Sequence, residues 1–161
     1  MDRGNRIGDW EGDTVIGKGR QSALLTLVER KTLCPIIVKL TGKRADLLAE
    51  AAIQEMGPVK DRVKTITLDN GLEFAAHEVI AEGLEADIYV VHPYASWERG
   101  INKNTNCLIR QYFPKCTDFN DVSNETIEFV MNRLNNRPRM TRGGRSPNEL
   151  FMGQQVDLLA A

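Results

Sequence analysis

Apolar positions along this chain come first in short runs and then at helical spacing. Residues Asp9 to Gly17 read as a strand, with Val15 and Ile16 supplying β-branched bulk. Gly17-Lys18-Gly19 is a turn signal. Ala23 to Glu29 and Leu33 to Leu40 read as two more strands, joined by the short polar Arg30-Lys31-Thr32 in a hairpin. Pro35 lacks an N–H, so the third strand either lies at a sheet edge or starts after the proline. From Lys43 the period changes. Leu48, Ala51, Ala52 and Met56 share one face of a helix that Gly57-Pro58 stops. Val63 to Leu68 is a fourth strand, ending at Asp69-Asn70-Gly71. A short helix near Ala75 to Glu82 follows, with Gly83 as the residue just past its end. Asp87 to Val91 is a fifth strand, ended by His92-Pro93.

Three helices complete the pattern. Glu98 to Tyr112 aligns Ile101, Thr105, Leu108 and Tyr112 on one face. Ser123 caps a long helix whose buried stripe is Ile127, Val130, Met131 and Leu134, and Pro138 follows its end. Ser146-Pro147 opens a last short helix. The order β-β-β-α-β-α-β-α-α, followed by the last short helix, predicts an α/β fold: a five-stranded mixed sheet with helices on both faces. Strands four and five are nearly all apolar, as covered strands should be.

At 161 residues the chain is one domain by size, able to bury roughly two-thirds of its unfolded surface. Its 42% hydrophobic and 27% charged residues are ordinary for a globular domain. No apolar run nears the ~20 residues of a membrane span, and the polar start, with two arginines in eight residues, does not read as an export signal. Cys34, Cys107 and Cys116 have neither C-x-x-C pairing nor a histidine at zinc spacing, so they read as reduced thiols of a cytoplasmic protein. A net charge of −1 gives no global basic field, so local patches must carry any nucleic-acid contact.

Two acids stand out. Asp13 lies inside the first strand, in Trp10-Glu11-Gly12-Asp13, where an unpartnered carboxylate is costly. Asp69 ends the fourth strand, and strand carboxyl ends are where α/β sheets place ligands. If strands one and four are neighbours, both carboxylates converge, and a hard divalent cation would relieve their repulsion. Asp69-Asn70-Gly71 is equally an ordinary turn. Glu11 shares a strand face with Asp13 and suits a supporting role; Glu73 and Glu98 are weaker candidates.

The strings GDWEGDTVIGKG, LVERKT, ITLDNGLEF, HPYASWERG, LIRQYFPK, LNNRPR and SPNELF resemble the transposases of the insertion sequence thirty family. The resemblance runs from about Gly8 to Phe151, and His92 to Lys115 is its most specific part. It implies a ribonuclease-H-like catalytic core for residues 1–161 that binds Mg²⁺ in a two-metal site through two aspartates and a glutamate, which map to Asp13, Asp69 and Lys103. The expected N-E-N-T-N string is Asn102-Lys103-Asn104-Thr105-Asn106, so the spacing of 33 intervening residues is kept and the acid is not. Cys107 and Cys116 stand where the family usually has glycine, and the family's N-terminal helix-turn-helix region has no counterpart.

The implied activity is DNA cleavage and strand transfer in transposition, with DNA and further copies of the chain as partners, in a bacterial cytoplasm. A protonated lysine has donors only and cannot ligate Mg²⁺. At ~4 Å and a dielectric near 20 its attraction to a carboxylate is worth about 4 kcal/mol. Lys103 is therefore expected to pair with Asp13 or Asp69 and to leave the core inactive, the alternative being a helix lysine turned to solvent. A non-enzymatic DNA-binding or dimerising remnant is the other functional reading. Candidate phosphate contacts are Lys18 and Arg20 in the first turn, and Arg99, Asn102, Asn106 and Arg110 on the helix of Lys103. Arg137, Arg139, Arg142 and Arg145 form one arginine-rich loop. Trp97, beside that helix, reads as a core anchor.

Overall fold

The computed structural model describes residues 6–42, 44–91 and 100–153. Five strands form one sheet: β1 (Asp9–Ile16), β2 (Ala23–Glu29), β3 (Pro35–Leu40), β4 (Thr65–Leu68) and β5 (Asp87–Val90), in the order β3-β2-β1-β4-β5. β1, β2 and β3 pair antiparallel, and β4 joins β1 and β5 in parallel. The expected mixed α/β sheet is present. Pro35 meets the first branch of its expectation, since β3 is an edge strand; the strand begins at the proline rather than after it.

The sheet buries a different side chain set on each face. Trp10, Leu25, Leu27, Ile66 and Leu68 pack with α1 (Ala45–Met56) and α2 (His77–Leu84). Trp10 is fully buried, and its indole N–H donates to the Arg62 carbonyl at 3.0 Å. On the other face, Val15, Leu24 and Ile37 pack with α3 (Gly100–Tyr112) and α4 (Asn124–Asn135). Phe119, which precedes α4, is fully buried here; each such ring is worth about 1.5–3 kcal/mol of removed apolar surface. Ser123 caps α4 through the Thr126 N–H, and Ser146 caps α5 (Pro147–Met152) through the Glu149 N–H. The three cysteines are free thiols.

Three local expectations are corrected. Gly83 does not follow α2 but lies inside it, and Glu85 takes the left-handed turn at φ 53°. Gly83 is needed for a close approach instead: a Cβ there would meet Ile53 of α1 at 2.6 Å. The buried stripe of α3 is Asn102, Thr105 and Ile109, one position round from Ile101, Leu108 and Tyr112; both sets share the helical period, and Tyr112 is 38% exposed. β5 is apolar yet incompletely covered, because it is the outer strand; Tyr89 and Val90 are 41% and 38% exposed.

Candidate functional site

Parity along β1 sets up the site. Trp10 packs on the α1 face, so Glu11 and Asp13 point toward α3. In β4, Ile66 and Leu68 pack on the α1 face, so Asp69 emerges on the α3 side, one residue past the strand end. The parallel register pairs Asp9 with Thr65, Trp10 with Ile66 and Glu11 with Thr67. Continued, that register sets Asp13 opposite Asp69. Gly12 lets the strands seat this closely, because a Cβ there would meet Leu68 Cδ2 at 2.5 Å.

Each aspartate is held by the backbone. Asp13 Oδ1 accepts the Thr14 N–H at 2.8 Å, and Asp69 Oδ1 accepts the Gly71 N–H at 2.9 Å. Asp13 Oδ2 also accepts Nδ2 of Asn106 from α3 at 3.1 Å. Behind this pair stands Thr26 of β2, the register partner of Asp13. Its hydroxyl lies 3.1 Å from Asn106 Oδ1, 3.2 Å from Asn102 Oδ1 and 3.2 Å from the Asp13 carbonyl. A hydroxyl has one proton, so it donates to one of these at a time. Asn106 in turn donates to Asp13, so the hydroxyl links the two asparagines of α3 to β1, while Asn102 Nδ2 is buried without an acceptor among the described residues.

Glu11 supports α3 from below. It is fully buried, and its Oε2 accepts the Asn102 backbone N–H in the first turn of α3 at 3.0 Å. Arg30 Nε approaches Glu11 Oε1 at 3.4 Å. A buried carboxylate at a helix N-terminus complements the helix dipole. The supporting role expected of Glu11 thus takes the form of a cap on the helix that carries Asn106.

Lys103 is exposed on α3, and among the described residues it forms no ion pair with Asp13 or Asp69. The expected pairing gives way to the solvent-exposed alternative: α3 turns Asn102 and Asn106 toward the sheet and leaves Lys103, about 100° round the helix from Asn102, exposed at the flank of that face. Glu73, a weaker candidate from sequence, accepts from Thr14 Oγ1 at 3.2 Å. Its carboxylate also borders Gly71, where a Cβ would meet Glu73 Oε2 at 2.5 Å and Asp69 Oδ1 at 2.9 Å. Among the described residues no three His, Cys, Asp or Glu side chains form a group that could hold a metal ion.

The expected phosphate contacts divide. Lys18, Arg20, Arg137 and Arg145 are exposed. Asn102 is corrected: it is 0% exposed, committed to Thr26 and Glu11, and has no surface to offer a phosphate. Asn106 is half-buried against Asp13. Arg110 donates to the Ile16 carbonyl at 2.8 Å, fixing α3 to the end of β1. Arg142 donates to the Lys31 and Arg30 carbonyls, and Arg139 to the Leu134 carbonyl. Arg99, His92, Trp97 and Glu98 lie outside the described residues.

No family model matches the chain. It is 51% identical over 146 residues to the transposase for insertion sequence element IS4351 of Bacteroides fragilis, covering 91% of this chain and 45% of that protein. It is 37% identical over 152 residues to transposase InsI for insertion sequence element IS30A of Escherichia coli (strain K12), covering 94% of this chain and 39% of that one. The chain belongs to the insertion sequence thirty family of transposases. It spans less than half the length of these family members. The cryo-EM structure of a simian T-cell lymphotropic virus intasome in complex with PP2A regulatory subunit B56 gamma superposes with a TM-score of 0.71 at 16% identity, covering 98% of this chain and 60% of that one. At that identity the likeness concerns the fold, which in this family member is the ribonuclease-H-like sheet expected from its sequence.

Proposed function

We propose that this chain is the catalytic core of a DNA transposase, a polynucleotidyl transferase acting on DNA phosphodiesters. The observation that carries the reading is the parallel β1–β4 register, which, continued past Glu11–Thr67, sets Asp13 opposite Asp69 on one side of the sheet. Their hard oxygen donors suit Mg²⁺, which would neutralise charge on a phosphate and on the attacking oxygen. The fit is incomplete, because Lys103 offers an ammonium where a third acid is expected and the described residues supply no third ligand.

The chain's own residues then have distinct tasks. Asn106 and the Thr14 N–H fix the Asp13 carboxylate, and the Gly71 N–H fixes Asp69. Exposed Lys18, Arg20, Arg137 and Arg145 would position DNA through its phosphates without reading sequence. DNA, further copies of this chain and a bacterial cytoplasm complete the setting. Among the described residues no helix is long and apolar enough to cross a membrane.

With Lys103 in place the core is inactive. The second reading, a DNA-binding or dimerising remnant, is favoured by this one residue. Cleavage and strand transfer of a labelled transposon-end duplex, with Mg²⁺ or Mn²⁺, separate the two. The chain as it stands is expected to give no product, and Lys103→Glu is expected to restore cleavage. If Lys103→Glu, folded and binding the duplex, still yields no product with either metal, the enzymatic reading fails and the binding reading stands.

A further inference from the structure

A cavity of about 360 Å³ opens beside the first turns of α3. It lies toward the amino end of β1 from Asp13, and its lining includes Glu11, Arg30, Asn104, Arg139, Thr141 and Arg142. Three guanidinium groups therefore face one carboxylate. That carboxylate is already engaged by Arg30 at 3.4 Å and by the Asn102 N–H at 3.0 Å. Arg142 is fixed by the Lys31, Arg30 and Thr141 carbonyls, so its charge is held in place. The next arginine along the loop, Arg145, has a carboxylate at 3.9 Å in Glu149. Arg139 has none among the described residues.

Arg139 is also short of acceptors. One terminal nitrogen donates to the Leu134 carbonyl, while its Nε is buried with no hydrogen-bond partner; the Nε of Arg30 has its ion-pair contact with Glu11 at 3.4 Å and no hydrogen bond. Burial, and then the charge of Arg137, hold the Arg139 guanidinium below its ordinary value. Both penalties would be relieved by an oxyanion. Leu33, Ile101 and Leu108 add apolar wall beside these donors, which suits a phosphate attached to a sugar better than a bare ion.

We propose that this cavity binds a backbone phosphate of a DNA strand, held by Arg139 and Arg30. The inference rests on the reading that the chain acts on DNA. It narrows the arginine loop to the two side chains that face inward and adds Arg30, which the sequence did not single out. Glu11 precedes Asp13 by two residues, roughly 7 Å along a strand. That is about two nucleotide steps at roughly 3.4 Å each, so one strand lying along α3 can reach both places.

Arginine Nε–Hε resonances, followed by ¹⁵N NMR, give a readout independent of catalysis. The chain is titrated with a short blunt DNA duplex and, separately, with inorganic phosphate. Thr141→Glu and Asn104→Glu each set a carboxylate at the cavity mouth, and neither side chain makes a described hydrogen bond. Gln54→Glu on α1, across the sheet, matches their charge change. The duplex is expected to shift the Arg139 and Arg30 signals. Both mouth variants should lose at least about threefold in DNA affinity, with the slope of log K on log salt falling by about 1, while Gln54→Glu stays closer to the parent. Mouth variants that melt normally and bind DNA with unchanged affinity and slope overturn the proposal and leave the DNA reading intact. Shifts from inorganic phosphate and none from DNA overturn the nucleic-acid source and retain an anion site. No DNA binding and no shift from either probe overturns both.

Discussion

Asn106 of α3 donates to Asp13 of β1 at 3.1 Å, and this bond joins the helix to the sheet at the candidate site. Asn106→Ala removes the donor and leaves Thr26 with one acceptor fewer. A loss of about 1–3 kcal/mol in urea unfolding is expected. In a Lys103→Glu background, cleavage should fall further than the fraction unfolded accounts for, since Asp13 Oδ2 then loses the Asn106 donor. Equal activity of Asn106→Ala and its parent would remove Asn106 from the positioning of Asp13.

The two cysteines that replace the family's expected glycines should respond in opposite directions. Cys116 sits at φ 71°, a left-handed conformation that a Cβ disfavours. Cys116→Gly is expected to raise stability by about 1 kcal/mol. Cys107 is an exposed residue inside α3, where glycine costs about 0.5–1 kcal/mol relative to a residue with a side chain. Thermal melts of the two single variants check the signs.

Glu11→Ala is expected to be far more damaging than any exchange at Lys103. It strips the α3 cap and leaves Arg30 facing a void, a loss of about 3–5 kcal/mol for one partner of a buried pair. Lys103→Glu changes an exposed position and should stay within about 0.5 kcal/mol of the parent. Denaturant midpoints at neutral pH give the comparison.

Asp9 makes part of the acid stability. Burial alone would raise its pKa, but hydrogen bonds from Arg6 and Thr65, with the Arg6 charge, outweigh it and hold the carboxyl below its ordinary value. The Thr65 hydroxyl lies 2.7 Å away and the Arg6 guanidinium 3.1 Å. A depressed folded value means this contribution is whole above the unfolded pKa, about 3.9, and is lost as pH falls through the folded one. Thermal melts from about pH 6 down to pH 2 should fall less steeply at the acid end for Asp9→Asn than for the parent. Parallel curves would show that Asp9 has no such role.

Given β1 beside β4, which is a long-range pairing, the shared face of Asp13 and Asp69 was legible because strand parity is a local rule. The caps at Ser123 and Ser146 were legible for the same reason. The orientation of α3 was not. Its apolar spacing allows two faces one residue apart, and the choice is made by Thr26 and Glu11, which are distant in sequence. Gly83 misleads similarly: glycine marks both helix ends and close approaches, and only Ile53 on another helix distinguishes them. The inward turn of Asn102, and with it the exposure of Lys103 at the helix flank, follows from those long-range contacts.

The alternation along β1 also limits what changes in length the chain can absorb. Deleting a single residue between Trp10 and Asp13 would invert the strand beyond that point. Asp13 would then enter the oily layer beneath α1, and Val15 would lose its place among the helix side chains across the sheet. Substitutions here alter one contact each, whereas a frame slip of one residue exchanges two whole surfaces. Drift by indel should therefore accumulate in the loops and spare the stretch from Asp9 to Ile16.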